Sequence, residues 1–205
     1  DVGFHIRTGR QVLESGGIPA TNTFSHTCPD APWLLHQWWP GVVFALVFGA
    51  SGITGIIVFK ALLASAIVGV LFLAARREAH GSITIPLWVT SVGVCVACVR
   101  FFPRPYMFSA LFFALLILAD RRWRVRKPWQ WLGVPLLLAL WSNTHAGVMY
   151  GFLYLFLQVG VATLEAVFAF RQEQKLNLVT AAVLAGGVAA ALALSATTLP
   201  IVRPH

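Results

Sequence analysis

The sequence predicts an all-α, polytopic membrane protein with about six membrane segments and an extracytoplasmic amphipathic helix. Its 205 residues are 58% hydrophobic and only 11% charged, with a mean hydropathy of +0.77, whereas soluble domains carry about 25% charged residues. Apolar runs of membrane length also recur along the chain, with cations between them. We expect three regions: an external loop over residues 1–37, a transmembrane bundle over residues 38–199 and an external tail over residues 200–205.

The apolar runs set the membrane segments in chain order. The first begins at Trp38, is interrupted by the small residues 49–52 and continues over residues 53–75. The later runs are separated by charged or polar residues and span residues 83–99, 106–119, 129–141, 146–170 and 176–199. A helix satisfies its own backbone hydrogen bonds inside a bilayer, so we expect each run to be helical.

The positions of the cations decide whether the net charge of +8 reflects nucleic-acid binding or the topology of a membrane protein. They do not form the single stripe that nucleic-acid binding requires. They cluster in alternate connections, namely residues 76–77, 121–127 and 171–175. By the positive-inside rule these connections are cytoplasmic, which places residues 1–36 outside. Because an external N-terminal segment needs a preceding signal or membrane segment, we expect the chain to be a fragment of a longer protein.

Two of the segments, 106–119 and 129–141, are short for a membrane. Each rises about 20 Å as a helix, whereas the hydrocarbon core is about 30 Å thick. Arginines and tryptophans anchor their cytoplasmic ends, so we expect the shortfall on the outer side, where it sinks Arg104 and residues 143–145 into a recess. Local thinning of the bilayer is the alternative, since it costs only fractions of a kcal/mol per Å.

Residues 1–15 predict an amphipathic helix at the outer membrane surface. Apolar residues recur along one face, and two glycines follow as an end signal. Asp1 and His5 lie one turn apart and can share a site, while Arg7 and Arg10 offer positive charge to an anionic head group. The alternative is an interfacial helix whose polar face is only solvated.

Small residues recur every four positions in two membrane segments, which allows close helix packing or contact with other membrane subunits. The sets are Ala61, Ser65 and Gly69 in one segment, and Ala181, Ala185, Ala189 and Ala193 in the other. Cys95 and Cys98 lie inside an apolar run, where we interpret them as small buried residues and not as a metal site.

Four groups of external residues carry a family resemblance. They are residues 1–5 with Gly9, 16–19 and 22–25; Trp33 with residues 36–38; residues 104–105 with 108–109; and residues 141–147. Taken together, in this order, they resemble the external loops of bacterial GT-C-type membrane glycosyltransferases. The likeness is to the branch related to lipid-linked-sugar transferases, and it extends over roughly the first 150 residues.

The resemblance implies a GT-C-like, multi-pass protein of the bacterial inner membrane whose elaborated face is extracytoplasmic. It implies sugar transfer from a polyprenyl-phosphate donor, with a divalent metal as a compatible cofactor. Asp1 stands where the family carries an acidic base or metal ligand, and would deprotonate the acceptor hydroxyl while His5 orients it. Asn143 and His145 would line the recess. The phosphate would be bound by the external arginines, Arg7, Arg10, Arg100 and Arg104.

Two departures from the family pattern leave a second function open. Asn22 and Gln37 stand where the family often has acids, which removes charge that would bind a divalent metal or take a proton. The alternative is a non-catalytic transmembrane subunit of a larger membrane complex, built on a truncated GT-C-like scaffold. A transporter or channel is less favoured, because the sequence shows no cluster of ionisable residues in the middle of the membrane beyond Lys60.

Overall fold

Helices form most of the described part of the chain. The computed structural model describes residues 2–28, 31–120, 132–171 and 185–189. Within these ranges it contains no strand beyond an isolated bridge between Thr21 and Pro32, so the predicted all-α class is confirmed. The predicted base Asp1, the basic cluster at 121–127, most of the segment 176–199 and the tail 200–205 lie outside the described residues.

The helix bounds follow the predicted apolar runs closely. Two helices begin at predicted starts, Trp38 and Tyr106, and the second start follows Pro105, whose fixed φ suits the beginning of a helix. The helices are α1 (Val2–Ser15), α2 (Trp38–Glu78), α3 (Thr84–Ala97), α4 (Tyr106–Asp120), α5 (Gly133–Ser142) and α6 (Val148–Arg171), with a 3-10 turn at Cys98–Arg100.

Helix α2 is broken where the small residues predicted an interruption. Gly52 has φ 59° and ψ −148°, outside the helical region, and the chain is helical on both sides of it. A positive φ of this size costs a glycine little, because it has no Cβ to clash with its own backbone. The kink at Gly52 divides the 41-residue helix into two unequal parts.

Two helices within the described ranges are long and apolar enough to cross a membrane, Trp38–Glu78 and Val148–Phe168. In their most apolar stretches only 17% and 11% of the residues are buried within the chain, whereas the core helix of a soluble protein is mostly buried. The exposed side chains are large and apolar, as Leu62 and Phe156 illustrate, and they suit a bilayer interior. Helices α3, α4 and α5 are apolar but shorter, so six membrane segments remain a prediction.

The two cysteines at the end of α3 and in the 3-10 turn after it do not have the predicted environment. Cys95 and Cys98 are exposed on the surface of the chain instead of being buried. The periodicity of an apolar helix does not distinguish a face that packs on its neighbours from a face that meets lipid, because both are apolar.

Helix α1 packs across the beginning of α2 at a glycine pair. A Cβ on Gly9 would overlap the backbone carbonyl of Gly41, and a Cβ on Gly41 would lie 3.0 Å from the His5 carbonyl oxygen. Thr8, on the same face of α1, is completely buried. The absence of both Cβ atoms therefore allows the two backbones to touch, and this contact fixes α1 against the bundle.

Aromatic residues join α2 to α4, and α4 to α5. The rings of Phe44, Phe59 and Phe108 form a triangle with centroids 6.0 to 6.1 Å apart. Trp141, at the end of α5, is completely buried, and its ring lies 6.1 Å from that of Phe112 in α4. These contacts bring the beginnings of α2 and α4 and the end of α5 together at one end of the bundle.

The opposite end of the bundle carries part of the predicted cytoplasmic charge. Arg77, near the end of α2, donates a hydrogen bond of 3.2 Å to the carbonyl oxygen of Leu118, near the end of α4. Because α2 and α4 both begin at the other end, Arg77 and the predicted external recess lie at opposite ends of these helices. The predicted orientation requires this separation, and the orientation itself stays a prediction.

Candidate polar cavity and its apolar extension

A polar cavity of about 320 Å³ lies where α1, the beginnings of α2 and α4, and the α5–α6 connection meet. Three predicted site residues, His5, Arg104 and His145, line it together. The remaining lining residues are Phe4, Gln37, Pro105 and Tyr106. The fold therefore collects residues from four separate stretches of the chain around one space, here called the polar cavity.

His5 is held in the wall of the polar cavity by the packing of α1. Its carbonyl oxygen accepts a hydrogen bond of 3.0 Å from the Thr8 hydroxyl, and its ring lies 6.2 Å from that of Phe44 in α2. Burial, followed by nearby positive charge that includes Arg104, lowers the pKa of His5 from 6.5 to about 4. The ring is therefore neutral at pH 7, with one nitrogen able to donate a hydrogen bond and the other able to accept one.

Arg104 supplies positive charge to the lining. It lies in the turn before α4, where its backbone N–H donates to the Phe102 carbonyl at 2.8 Å and its own carbonyl accepts from Met107 at 3.1 Å. Pro105 and Tyr106, which follow it, also line the cavity. The backbone of this turn therefore directs the chain so that Arg104 borders the polar cavity.

The other predicted arginines lie outside the lining of the polar cavity. Arg7 is exposed on α1, and the guanidinium carbon of Arg10 stacks over the Phe48 ring at 5.3 Å from its centroid. Arg100 lies in the 3-10 turn, where its carbonyl accepts a hydrogen bond from the Tyr106 hydroxyl. Their role as phosphate ligands remains a prediction. Of the four predicted arginines, Arg104 is the one that lines the polar cavity.

Asn143, predicted to line the recess, instead closes the end of α5. Its side-chain amide donates to the Ala139 carbonyl at 2.9 Å, and Thr144 donates to the Leu140 carbonyl at 2.7 Å. The last carbonyls of a helix have no partner within the helix, so these side chains satisfy them. The polar stretch 141–147 is therefore in part a helix terminus, and Asn143 does not line the polar cavity.

His145 is held by a chain of hydrogen bonds that links α4, α5 and the α5–α6 connection. The indole N–H of Trp141 donates to the Ser109 hydroxyl oxygen at 2.8 Å, and that oxygen lies 3.0 Å from His145 Nδ1. The Gly147 backbone N–H also donates to Nδ1, at 2.9 Å. Burial, and then the positive charge of His36, lowers the pKa of His145 below 6.5.

An apolar pocket of about 370 Å³ adjoins the polar cavity and shares Tyr106 and His145 with it. Its other lining residues are Ser109, Ala110, Phe113, Trp141, Gly147 and Tyr150. Ala110 and Phe113 also line a groove of about 520 Å³ between α2, α3 and α4, whose walls are almost entirely apolar. Polar and apolar spaces therefore follow one another along α4, which suits an amphipathic ligand.

The two amides at predicted acid positions have different surroundings. The Asn22 side-chain oxygen accepts backbone hydrogen bonds from Phe24 at 2.8 Å and Ser25 at 3.2 Å, which stabilises a turn. Gln37 lines the polar cavity. Within the described residues, no three His, Cys, Asp or Glu side chains are grouped so that they could hold a metal ion.

Comparisons with known families, proteins and structures found no relative of this chain. No protein-family model matches the chain, and neither a curated protein nor a solved structure matches it. The resemblance to GT-C-type glycosyltransferases therefore remains a hypothesis that depends on the residues quoted above.

Proposed function

We propose that this chain is a GT-C-like membrane glycosyltransferase that takes a sugar from a polyprenyl-phosphate donor on the extracytoplasmic face. The observation that supports the proposal most is the polar cavity, in which Arg104, His5 and His145 come together beside an apolar pocket. A lipid-linked sugar has the same two parts, a charged polar head and a long apolar chain.

The lining of the polar cavity suits a phosphate joined to a sugar. The Arg104 guanidinium can form charge-assisted hydrogen bonds to phosphate oxygens. His5 is neutral at pH 7, because burial lowers its pKa to about 4, so it and the Gln37 amide can each donate to an oxygen and accept from a sugar hydroxyl. The described lining contains no carboxylate that would repel the phosphate.

The apolar pocket and the groove suit the lipid chain. Tyr106 and His145 stand at the boundary between the polar cavity and the apolar pocket, and Ala110 and Phe113 stand between that pocket and the groove. A polyprenyl chain placed along this path exchanges water or other lipids for apolar side chains. The path runs along α4, from its beginning toward the cytoplasmic end.

The proposed reaction moves one sugar from phosphate to an acceptor hydroxyl. The acceptor oxygen attacks the anomeric carbon, the bond from that carbon to the phosphate oxygen breaks, and polyprenyl phosphate leaves. The hydroxyl proton passes to Asp1, four positions before His5 in the chain, and His5 orients the acceptor. Arg104 stabilises the negative charge that develops on the departing phosphate.

A transfer assay with matched variants tests this function. The full-length protein is reconstituted into liposomes with a radiolabelled polyprenyl-phosphate sugar, and labelled acceptor and bound donor are measured separately. Asp1→Asn should lower transfer by about 10²- to 10⁴-fold while donor binding persists. Arg104→Ala should weaken donor binding, whereas Arg76→Ala, which removes the same charge from the far end of α2, should not. If Asp1→Asn leaves transfer unchanged, the catalytic proposal is wrong.

The alternative, a non-catalytic subunit, is favoured by one specific observation. Ala61, Ser65 and Gly69 are all exposed on α2, and a Cβ on Gly69 would contact nothing within 4 Å. The ridge therefore does not pack within the described part of the chain, and another membrane helix can approach it closely. Gly69→Leu would loosen a partner subunit under this alternative and would leave transfer intact under the enzyme proposal.

A further inference from the structure

The indole N–H of Trp141 determines which atom donates and which accepts in each hydrogen bond of the chain that ends at His145. An indole N–H can only donate, so the Ser109 oxygen must accept the 2.8 Å hydrogen bond from Trp141. The Ser109 proton is then available for His145 Nδ1, which lies 3.0 Å away. Trp141 is completely buried and Ser109 is 9% exposed, so water competes little for either group.

The second partner of Nδ1 gives the same direction. The Gly147 backbone N–H, which can only donate, points at Nδ1 from 2.9 Å. A proton on Nδ1 would be repelled by this N–H, and Nδ1 could then accept no hydrogen bond from the Ser109 hydroxyl. Two donors therefore converge on one nitrogen, and this arrangement is satisfied only when Nδ1 carries a lone pair.

The charges around His145 favour the neutral ring. Its neighbours in the polar cavity include Arg104, His5 and Tyr106, and burial is the main reason that the pKa of His145 is lowered from 6.5. None of these groups is a carboxylate that would stabilise an imidazolium. In a neutral ring with Nδ1 unprotonated, the proton lies on Nε2.

The Nε2 side of the ring is left for a ligand. His145 lines both the polar cavity and the apolar pocket, and its ring hydrogen bonds within the described residues all involve Nδ1. Nε2 is absent from the buried side-chain atoms that lack a hydrogen-bond partner, so it keeps some exposed surface. A ligand in one of the two spaces that His145 lines can use it.

We propose that Trp141 and Ser109 are positioning residues that hold His145 as a neutral Nε2–H donor, directed at an oxygen of the ligand head group. His145 then serves as a hydrogen-bond donor to a phosphate or sugar oxygen and not as a general base. The identity of that oxygen rests on the proposed function, whereas the orientation of the ring rests on the three hydrogen bonds alone.

Gly147 has a specific place in this arrangement. A Cβ at residue 147 would lie 2.7 Å from the Ser109 oxygen and 2.8 Å from His145 Nδ1, so any side chain would push the two groups apart. Gly147 is not among the glycines with a positive φ, so its backbone conformation does not require a glycine. The close approach of Ser109 and His145 does.

Nitrogen NMR of ¹⁵N-histidine-labelled full-length protein in nanodiscs tests the ring state directly. The His145 signals are identified by their loss in His145→Gln. At pH 7 we expect the chemical shifts of an unprotonated Nδ1 and a protonated Nε2. A charged ring, or a proton on Nδ1, in the unmutated protein would overturn the proposal, whatever the variants do.

Variants separate positioning from simple packing. Ser109→Ala removes one of the two donors to Nδ1 and leaves the Gly147 N–H in place, so the share of His145 rings with a proton on Nδ1 should rise above that of the unmutated protein. Ser109→Thr, which restores a hydroxyl, should return the ring to the Nε2–H form. If Ser109→Ala keeps a pure Nε2–H ring, Ser109 is not a positioning residue.

Adding a short isoprenyl monophosphate separates this inference from the proposed function. The Nε2–H signal should shift in the unmutated protein, and the affinity should fall about fivefold in Ser109→Ala, as expected for one lost hydrogen bond. If the Nε2–H signal does not shift when the probe is added, the proposed ligand is wrong, and so is the proposal that His145 donates to a ligand oxygen. The positioning of the ring by Ser109 and Trp141 would still stand.

Discussion

The hydroxyl oxygen of Ser109 lies 3.0 Å from His145 Nδ1, across 36 positions of the chain. This contact joins the first turns of α4 to the connection between α5 and α6. Because both elements border the polar cavity and the apolar pocket, the shape of the boundary between the two spaces depends on it.

Replacing Gly147 should disturb that boundary. In Gly147→Ala the new Cβ would lie 2.7 Å from the Ser109 oxygen and 2.8 Å from His145 Nδ1, and overpacking of this kind costs about 1–3 kcal/mol. We expect a lower thermal midpoint in detergent. Gly160→Ala in α6 is the control, since a Cβ there meets nothing within 4 Å and alanine favours the helix. Equal midpoints for the two variants would contradict the close packing at residue 147.

The glycine contact between α1 and α2 should be needed for the polar cavity. A Cβ on Gly9 would overlap the Gly41 carbonyl, whereas one on Gly3 would meet nothing within 4 Å. Gly9→Ala should therefore displace α1, and His5 with it, from the bundle. Limited proteolysis should cut residues 2–28 faster in Gly9→Ala than in Gly3→Ala, and donor binding should fall only in Gly9→Ala. Similar behaviour of both variants would show that α1 does not depend on this contact.

His5 should make the protein less stable in acid. Burial lowers the folded pKa of His5 to about 4, below its ordinary value of 6.5, so the unfolded chain binds more protons between these two values. Stability therefore falls as the pH decreases through this window. His5→Gln should flatten the decline of the thermal midpoint from pH 7 to pH 4.5, and His26→Gln, an exposed control, should not. An unchanged slope in His5→Gln would show that another group is responsible.

Residues 2–28 are predicted to lie outside the cell membrane. Cys28 is exposed and serves as a natural reporter in a background where Cys95 and Cys98 are replaced by alanine. An impermeant maleimide should label Cys28 in intact cells. A second protein carries Arg76→Cys and Cys28→Ser in the same background. This protein should be labelled only after the membrane is opened. The reverse pattern would invert the orientation and place the polar cavity on the cytoplasmic side.

The sequence was informative where local chemistry decides the structure. Composition predicted the all-helical class, and small residues predicted the break now seen at Gly52. His5, Arg104 and His145 were predicted to share a site, and they line one cavity. Polar residues are rare in such an apolar chain and have to be sheltered somewhere, so their convergence could be inferred without coordinates.

Other features could not be inferred because they depend on tertiary contacts. Ser109 was part of a motif but not a predicted site residue, since its link to Trp141 spans 32 positions and leaves no periodic signal. Asn143 was predicted to line the recess, but it bonds to Ala139 one turn earlier. In sequence, an amide that closes its own helix and an amide that binds a ligand look the same.

Photo-crosslinking tests the central claim, that the polar cavity receives the phosphate of a lipid-linked sugar, most directly. A polyprenyl-phosphate sugar carrying a diazirine beside the phosphate is irradiated with the full-length protein in native-like membranes, and the adducts are mapped by mass spectrometry. The proposal predicts adducts on the lining residues Tyr106 and His145, lost in Arg104→Ala and retained in Arg76→Ala. Adducts spread over the exposed faces of α3 and α6, or equal in the two variants, would contradict it.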